Sequence, residues 1–185
     1  MTMNLEKIKT PSSNQIVIKK GRIADTDAIQ KLAITTFQES HGHSADPEDI
    51  QSYIDRKFTK ENIETELSDT KNLFHLLYCN GELVAYSKIL FNSIYNELTP
   101  TDSTKLERLY VLQKFHGTEL GKRLMDFNIH LAKENDQTGI WLYVWTENHR
   151  AISFYKKYGF HQIAETVFQI SERHDNPNWI LYSGF

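Results

Sequence analysis

Apolar residues recur along the chain in two periods, and the change of period divides it into elements. Ile16-Val17-Ile18 opens a short strand. Ile29, Leu32, Ala33 and Phe37 follow at helical spacing behind Asp25, a candidate N-cap. A loop, His41-Gly42-His43-Ser44-Ala45, leads to Asp46-Pro47, which reads as an N-cap and first-turn proline. Ile50, Ile54 and Phe58 give the second helix one apolar face, and Ile63 and Leu67 mark a third that ends near Ser68-Asp69. Leu73–Cys79 and Leu83–Phe91 are apolar runs around Asn80-Gly81, the strongest short hairpin signal.

After a loop at Thr99-Pro100-Thr101-Asp102, Leu106–Leu112 predicts a strand. Leu120, Leu124, Phe127 and Leu131 then recur on one face, predicting an amphipathic helix from about Gly117 to Glu134. Ile140–Trp145 is a strand. Asn148 can cap a short helix that Gly159 ends, with Ala151, Phe154, Tyr155 and Tyr158 on one face. Strands at about 160–170 and 178–184 flank a turn at Arg173–Pro177. The order is strand, helices, three strands, helix, strand, helix, two strands. It predicts an α/β chain of the α+β type, one mixed sheet with helices on both faces. Residues 1–14 are polar and read as a flexible N-terminal tail ahead of a single domain over 15–185.

Composition narrows the class. The 185 residues are 39% hydrophobic with a net charge of −3, which suits a globular chain and disfavours generic nucleic-acid binding. No apolar run approaches membrane-spanning length, and the start lacks a signal-peptide core. The lone Cys79 leaves no internal disulfide and points to a reduced, cytoplasmic setting; beside Asn80-Gly81 it reads as a small buried residue. His41 and His43, without a carboxylate partner, read as a loop rather than a metal site, and no metal is expected. Trp141 and Trp145 share a strand face and read as core.

Two segments carry candidate chemistry. In L-E-R-L-Y-V-L-Q-K-F-H-G-T-E-L-G-K, residues 106–122, a strand runs through a loop into a helix, whose first-turn N–H groups can hold phosphates. In the second, N-H-R-A-I-S-F-Y-K-K-Y-G-F, residues 148–160 resemble the N-x-x-A-x-x-F-Y-x-K-x-G-F signature of GNAT-superfamily N-acetyltransferases. The first segment falls where that family carries its acetyl-CoA loop, Q/R-x-x-G-x-G/A. Here His116 stands at the first position, Glu119 at the first glycine and Gly121 at the second. S-H-G-H-S-A-D-P-E-D-I-Q-S-Y-I further resembles bacterial PaiA-like diamine and spermidine/spermine acetyltransferases.

The resemblance implies the GNAT fold, a mostly antiparallel mixed sheet of about six to seven strands, and acetyl-CoA as cosubstrate. It implies cofactor contacts from Leu109, Tyr110 and Val111 of the fourth strand. The loop amides of His116, Gly117, Thr118, Glu119, Leu120, Gly121 and Lys122 would take the pyrophosphate. Asn148 would contact pantetheine, and Lys157 lies on the same basic side. It implies Tyr155 as the acid that protonates the leaving thiolate; spacing alone reads Tyr155 as core. It also implies Glu107 as the base that deprotonates the amine, on the face of Leu109 and Val111 if the strand is regular; the other reading is an ion pair with Arg108. Residues 39–69 hold nine acids against three bases, a local charge of −6, where the acceptor should enter. A small amine, an aliphatic di- or polyamine, is therefore the expected partner. A different amine, or a non-catalytic acyl-CoA sensor motivated by Glu119, stays open, as does a homodimer.

Overall fold

The computed structural model describes residues 15–185, so the expected tail lies outside the described residues. Seven strands form one sheet: β1 (Ile16–Lys20), β2 (Leu73–Cys79), β3 (Glu82–Leu90), β4 (Ser103–Val111), β5 (Gly139–Trp145), β6 (His161–Gln169) and β7 (Asp175–Gly184). Their order across the sheet is β1-β2-β3-β4-β5-β7-β6, antiparallel throughout except between β4 and β5. The β2–β3 hairpin turns at Asn80 (φ 52°) and Gly81 (φ 85°), two left-handed residues in succession, which suit the right-handed strand twist.

One sheet face packs α1 (Thr26–His41), α2 (Pro47–Lys57) and α3 (Lys60–Ser68). Ile29, Phe37, Ile54 and Ile63 from these helices, with Phe58 just after α2, meet Phe74, Leu76 and Tyr86. The opposite face packs α4 (Leu120–Glu134) and α5 (His149–Lys156), through Met125, Ala132, Ile152 and Tyr155 against Leu106, Ile140, Leu142 and Val144. In α1 and α2 the buried residues are those the sequence period marks; in α4 and α5 the buried line moves to Met125, Asn128 and Ala132 and to Ile152, with Phe127, Leu131 and Phe154 half-buried. Among the described residues no helix is long and apolar enough to cross a membrane.

Two irregularities build the site. Lys88 pairs with Arg108 and the next residue, Ile89, pairs with Leu106, so Glu107 is the extra residue of a β-bulge. Leu106 and Leu109 face α4 and α5. Arg108 instead lies over the Phe58 ring at 5.6 Å, and Tyr110 stacks on Tyr86 at 5.8 Å, both on the α1–α3 face. Glu107 joins them there, on Lys88. The expectation that Glu107 shares a face with Leu109 and Val111 is thus corrected: the bulge inverts the alternation. Second, β4 and β5 pair only from Ser103/Gly139 to Lys105/Trp141, although β4 runs on to Val111 and β5 to Trp145. Beyond Lys105 the edge of β4 facing β5 has no strand partner.

Several boundaries differ from the sequence reading. The fourth helix starts at Leu120 rather than near Gly117, because Gly117 (φ 81°) and Glu119 (φ 64°) are left-handed. Strand β4 begins at Ser103, ahead of the Leu106 start read from sequence, and β7 begins at Asp175, inside the segment read as a turn. The early start of β7 is held by Asn176, buried and hydrogen-bonded to Ser44 and His174. Asp25 does precede α1, but its carboxylate accepts from the Arg22 N–H rather than capping that helix.

Candidate active site

The wedge between β4 and β5 opens into a cleft of about 720 Å³. Its floor is Lys105–Val111, one wall is α1 to α3, and the other is Trp145, Asn148, Arg150 and Tyr155. Of the sequence-predicted residues it brings together Glu107, Leu109, Tyr110, Val111, His116, Asn148 and Tyr155. Gly117 to Lys122 continue from His116 beyond this lining, and Lys157, exposed at the end of α5, is not part of it.

The loop into α4 divides its amide groups. The His116 and Thr118 N–H groups donate to Gln113 and Phe115 carbonyls, and Arg123 N–H closes the first helical bond to Glu119. His116 and Thr118 therefore drop out of the seven expected amide donors. The remaining N–H groups, of Gly117, Glu119, Leu120, Gly121 and Lys122, have no backbone partner among the described residues. The exposed Glu119 precedes the helix in a left-handed conformation. A Cβ added to Gly121 would meet Val111 Cγ2 at 3.5 Å, so the first turn of α4 lies close over β4. The Lys122 ammonium is spent on Asp126 at 2.9 Å. The His116 ring bonds the Val111 carbonyl through Nε2 at 3.0 Å, which covers one acceptor of β4.

Asn148 caps α5, its Oδ1 accepting from Ala151 N–H at 3.1 Å, as its position predicts. The capped helix turns Tyr155 inward between Phe154 and Phe160. Burial holds the Tyr155 hydroxyl well above its ordinary pKa, so it stays protonated. The Tyr155 hydroxyl has no protein hydrogen-bond partner among the described residues, and the residue lines the cleft.

Glu107 sits in a cluster of charges. Its Oε1 accepts from Lys88 Nζ at 2.7 Å and its Oε2 from Lys105 Nζ at 3.2 Å. Glu66 binds Arg108 through two hydrogen bonds of 2.7 and 2.8 Å and also pairs with Lys88 at 3.3 Å. Burial alone would raise the Glu107 pKa, but Lys88, Lys105 and Arg108 outweigh it and bring it down to about 2. A carboxylate so held accepts a proton poorly.

Charge in the cleft is not what the local sequence balance predicts. Of the nine acids in residues 39–69, only Glu39 and Glu66 line it, because α2 and α3 turn most of theirs outward. The lining holds three carboxylates, Glu39, Glu66 and Glu107, against four cations, Lys57, Lys105, Arg108 and Arg150. The acidic balance lies on the outside. Trp145, read as core, is buried as expected, yet it also forms cleft wall. Two features escaped the sequence reading. His41 closes α1 and stands in an aromatic wall with Trp145, Tyr110 and Phe168. Arg150 lines the cleft from the first turn of α5. The position of Arg150 inside the helix signature was a usable signal; that of His41 depends on long-range packing. Among the described residues no group of three or more His, Cys, Asp or Glu side chains could hold a metal ion.

A seven-stranded sheet parted between two parallel strands, with a helix N-terminus over the gap and a buried tyrosine beside it, defines an acyl-transfer scaffold. The family model described as Acetyltransferase (GNAT) family matches residues 26–160, and the chain belongs to that family and is an N-acetyltransferase. A similar Lactobacillus delbrueckii subsp. lactis protein, named an uncharacterized N-acetyltransferase in the pepI 3' region, is 26% identical over 157 residues, covering 84% of this chain and 91% of that one. The spermidine N(1)-acetyltransferase of Thermoplasma acidophilum is 24% identical over 145 residues, covering 78% and 88%. The fold is shared with the crystal structure of PaiA N-acetyltransferase from Thermoplasma acidophilum in complex with coenzyme A. The TM-score is 0.75 at 23% identity, over 92% of this chain and 99% of that one.

Proposed function

We propose that residues 15–185 act as one domain that moves an acetyl group directly from acetyl-CoA to a primary amine, in a ternary complex within the β4–β5 wedge. The observation that carries this reading is the unpaired β4 edge at Leu109–Val111, aligned with the unpartnered amides of Gly117 and Glu119–Lys122. The edge fits the amide-bearing pantetheine arm, and the helix terminus fits the pyrophosphate. Tyr110 takes part through its backbone, since its ring turns to α1 and β3. His116 must release the Val111 carbonyl if that acceptor is to pair with pantetheine. Lys157 contributes at most to the field outside the cleft.

Acetyl-CoA supplies an activated thioester, and the amine nitrogen attacks its carbonyl carbon. Tyr155 gives its proton to the departing thiolate. Asn148 acts by fixing the start of α5, and hence Tyr155. Glu107 holds Lys88 and Lys105 in place on the acceptor side rather than receiving the proton.

For the acceptor we propose an aliphatic di- or polyamine such as spermidine or spermine. Support comes from the similar spermidine N(1)-acetyltransferase, from the aromatic walls of the cleft, which attract alkylammonium groups, and from the acids on the outer faces of α2 and α3. An amine that also bears a carboxylate is the competing reading. Lys57 and Arg150 favour it, since both line the cleft with no carboxylate within 4 Å among the described residues. A panel of putrescine, spermidine, spermine, amino acids and lysine peptides with acetyl-CoA, read by thiol release, separates the two. The fastest turnover is expected with a polyamine; turnover confined to amino acids would refute that acceptor.

A further inference from the structure

We propose that His41 is the group that receives the proton of the acceptor ammonium. This rests on the amine-acetylation reading above and names the residue that serves it.

The hydrogen bonds around His41 favour one tautomer. The Ser40 hydroxyl has one proton, and its oxygen lies 2.8 Å from the Thr36 carbonyl and 3.2 Å from the Phe37 carbonyl, so it donates into its own helix. The same oxygen lies 2.7 Å from His41 Nδ1, where it accepts while its proton stays on the helix carbonyls. Nδ1 therefore carries the proton, and Nε2 presents its lone pair. Nε2 has no protein partner among the described residues and is not one of the buried unpartnered atoms, and the ring lines the cleft. A base needs this arrangement: an anchored donor nitrogen behind and an open acceptor nitrogen in front.

The surroundings suit an arriving ammonium. Trp145 of β5 stacks on the His41 ring at 5.9 Å, Tyr110 of β4 meets it edge-on at 6.5 Å, and Phe168 of β6 stands at 6.4 Å. Aromatic faces hold cations without neutralising them. His43 packs on the same tryptophan at 5.3 Å and is the titratable neighbour on the adjoining loop. Burial, and after it His43, lowers the His41 pKa to about 4, so the ring is neutral at working pH; it is a weak base, stronger than Glu107 held near 2, and holds the proton only briefly. The carboxylates of the cleft are already engaged, while Lys57 and Arg150 line it as cations without a carboxylate partner among the described residues. Glu107 and Glu66 are held by Lys88, Lys105 and Arg108, and Glu39 accepts from the Gln113 N–H at 2.8 Å.

The proton balance closes. The ammonium N–H bond breaks toward Nε2, leaving a neutral amine and an imidazolium. The amine lone pair forms the C–N bond, and the C–S bond then breaks. Tyr155 protonates the departing thiolate, and the excess proton on the newly acylated nitrogen passes to the Tyr155 phenolate, leaving one acetamide, one thiol and a restored phenol. The imidazolium returns its proton to water through the open cleft.

The test uses the full chain and the fastest amine of the panel. His41→Gln and His41→Phe should lower kcat at neutral pH by about 100-fold while leaving CoA affinity by calorimetry unchanged. Their rates should climb about tenfold per pH unit as free amine accumulates, where the wild type is flatter. Either variant retaining the wild-type rate and profile would overturn the proposal. If the variants do not fold, nitrogen-15 spectra of wild-type histidine decide, with His41 assigned through its contacts to Trp145. An Nδ1–H tautomer from pH 8 to about 5 is expected. An Nε2–H tautomer would overturn the proposal. A wild type inert toward every amine would instead strike down the amine reading itself.

Discussion

Glu119 occupies a backbone position that glycine is built for. Its φ of 64° costs an L-residue about 1 kcal/mol, and its carboxylate stands at a helix end suited to an anion. Glu119→Gly should therefore raise stability by about 1 kcal/mol in a chemical melt and tighten CoA binding by calorimetry; weaker binding would contradict the assignment of the loop. Tyr155→Phe should cut kcat about 100-fold and leave CoA affinity intact. An unchanged kcat would remove Tyr155 from the chemistry. Two histidines set the acid limit of the fold. Burial lowers His41 and His75 to about 4, against 6.5 in an unfolded chain, with Asn128 partly opposing the shift at His75 and Lys20 adding to it. The unfolded chain thus binds more protons between those values. Stability is complete above pH 6.5 and falls as pH drops toward 4, by about 1.4 kcal/mol per unit for each ring at most. Urea midpoints measured across that window check it, and His75→Leu should flatten the slope. Asn148 and Tyr155 were legible from a thirteen-residue signature because a cap and a helix face are local. His41 was not, because apart from Phe37 one turn upstream the rings around it come from three distant strands.

Among the elements, β4 departs furthest from its sequence pattern. Alternation alone puts Glu107 with Leu109 and Val111, and no residue in L-E-R-L-Y-V marks a bulge. The extra residue is visible only in the pairing of Lys88 and Ile89 with Arg108 and Leu106. Its result is a carboxylate and a guanidinium, consecutive in sequence, both on the α1–α3 face. Glu107→Gln would leave Lys88, whose side chain is 5% exposed, short of its nearest carboxylate. A loss of about 3 kcal/mol is expected in the melt, with the pH–rate profile unmoved. A shifted acid limb at full stability would return the base role to Glu107. Helices α1 to α3 and the β2–β3 hairpin matched their sequence patterns closely, since each is set by its own periodicity and turn residues. The loop into α4 matched less well, because two left-handed residues delay the helix and turn bonds to Gln113 and Phe115 occupy the amides of His116 and Thr118.

Over the whole molecule the near-neutral charge separates by depth rather than by side. The acids of residues 39–69 lie mostly on outward helix faces, while the cleft carries more cations than carboxylates. Outer acids can steer a polycation but do not hold it. Rising salt should therefore lower kcat/KM for spermidine more steeply than for a monoamine, and leave kcat nearly constant. Equal slopes for both amines would show that the outer field does not act on the acceptor. Element order and family were within reach of the sequence because strand and helix periods are local and the signature is long; the order of strands across the sheet was not, because it rests on long-range pairing. Cleft electrostatics were not, because they depend on which carboxylates meet lysines across the sheet.

The most direct measurement is thiol release from acetyl-CoA across the amine panel, with mass analysis of the acceptor. Amine-dependent thiol release, matched one for one by acetylated amine, is the result expected. Tight CoA binding with no thiol released by any amine, amino acid or lysine peptide would contradict acetyl transfer at this site.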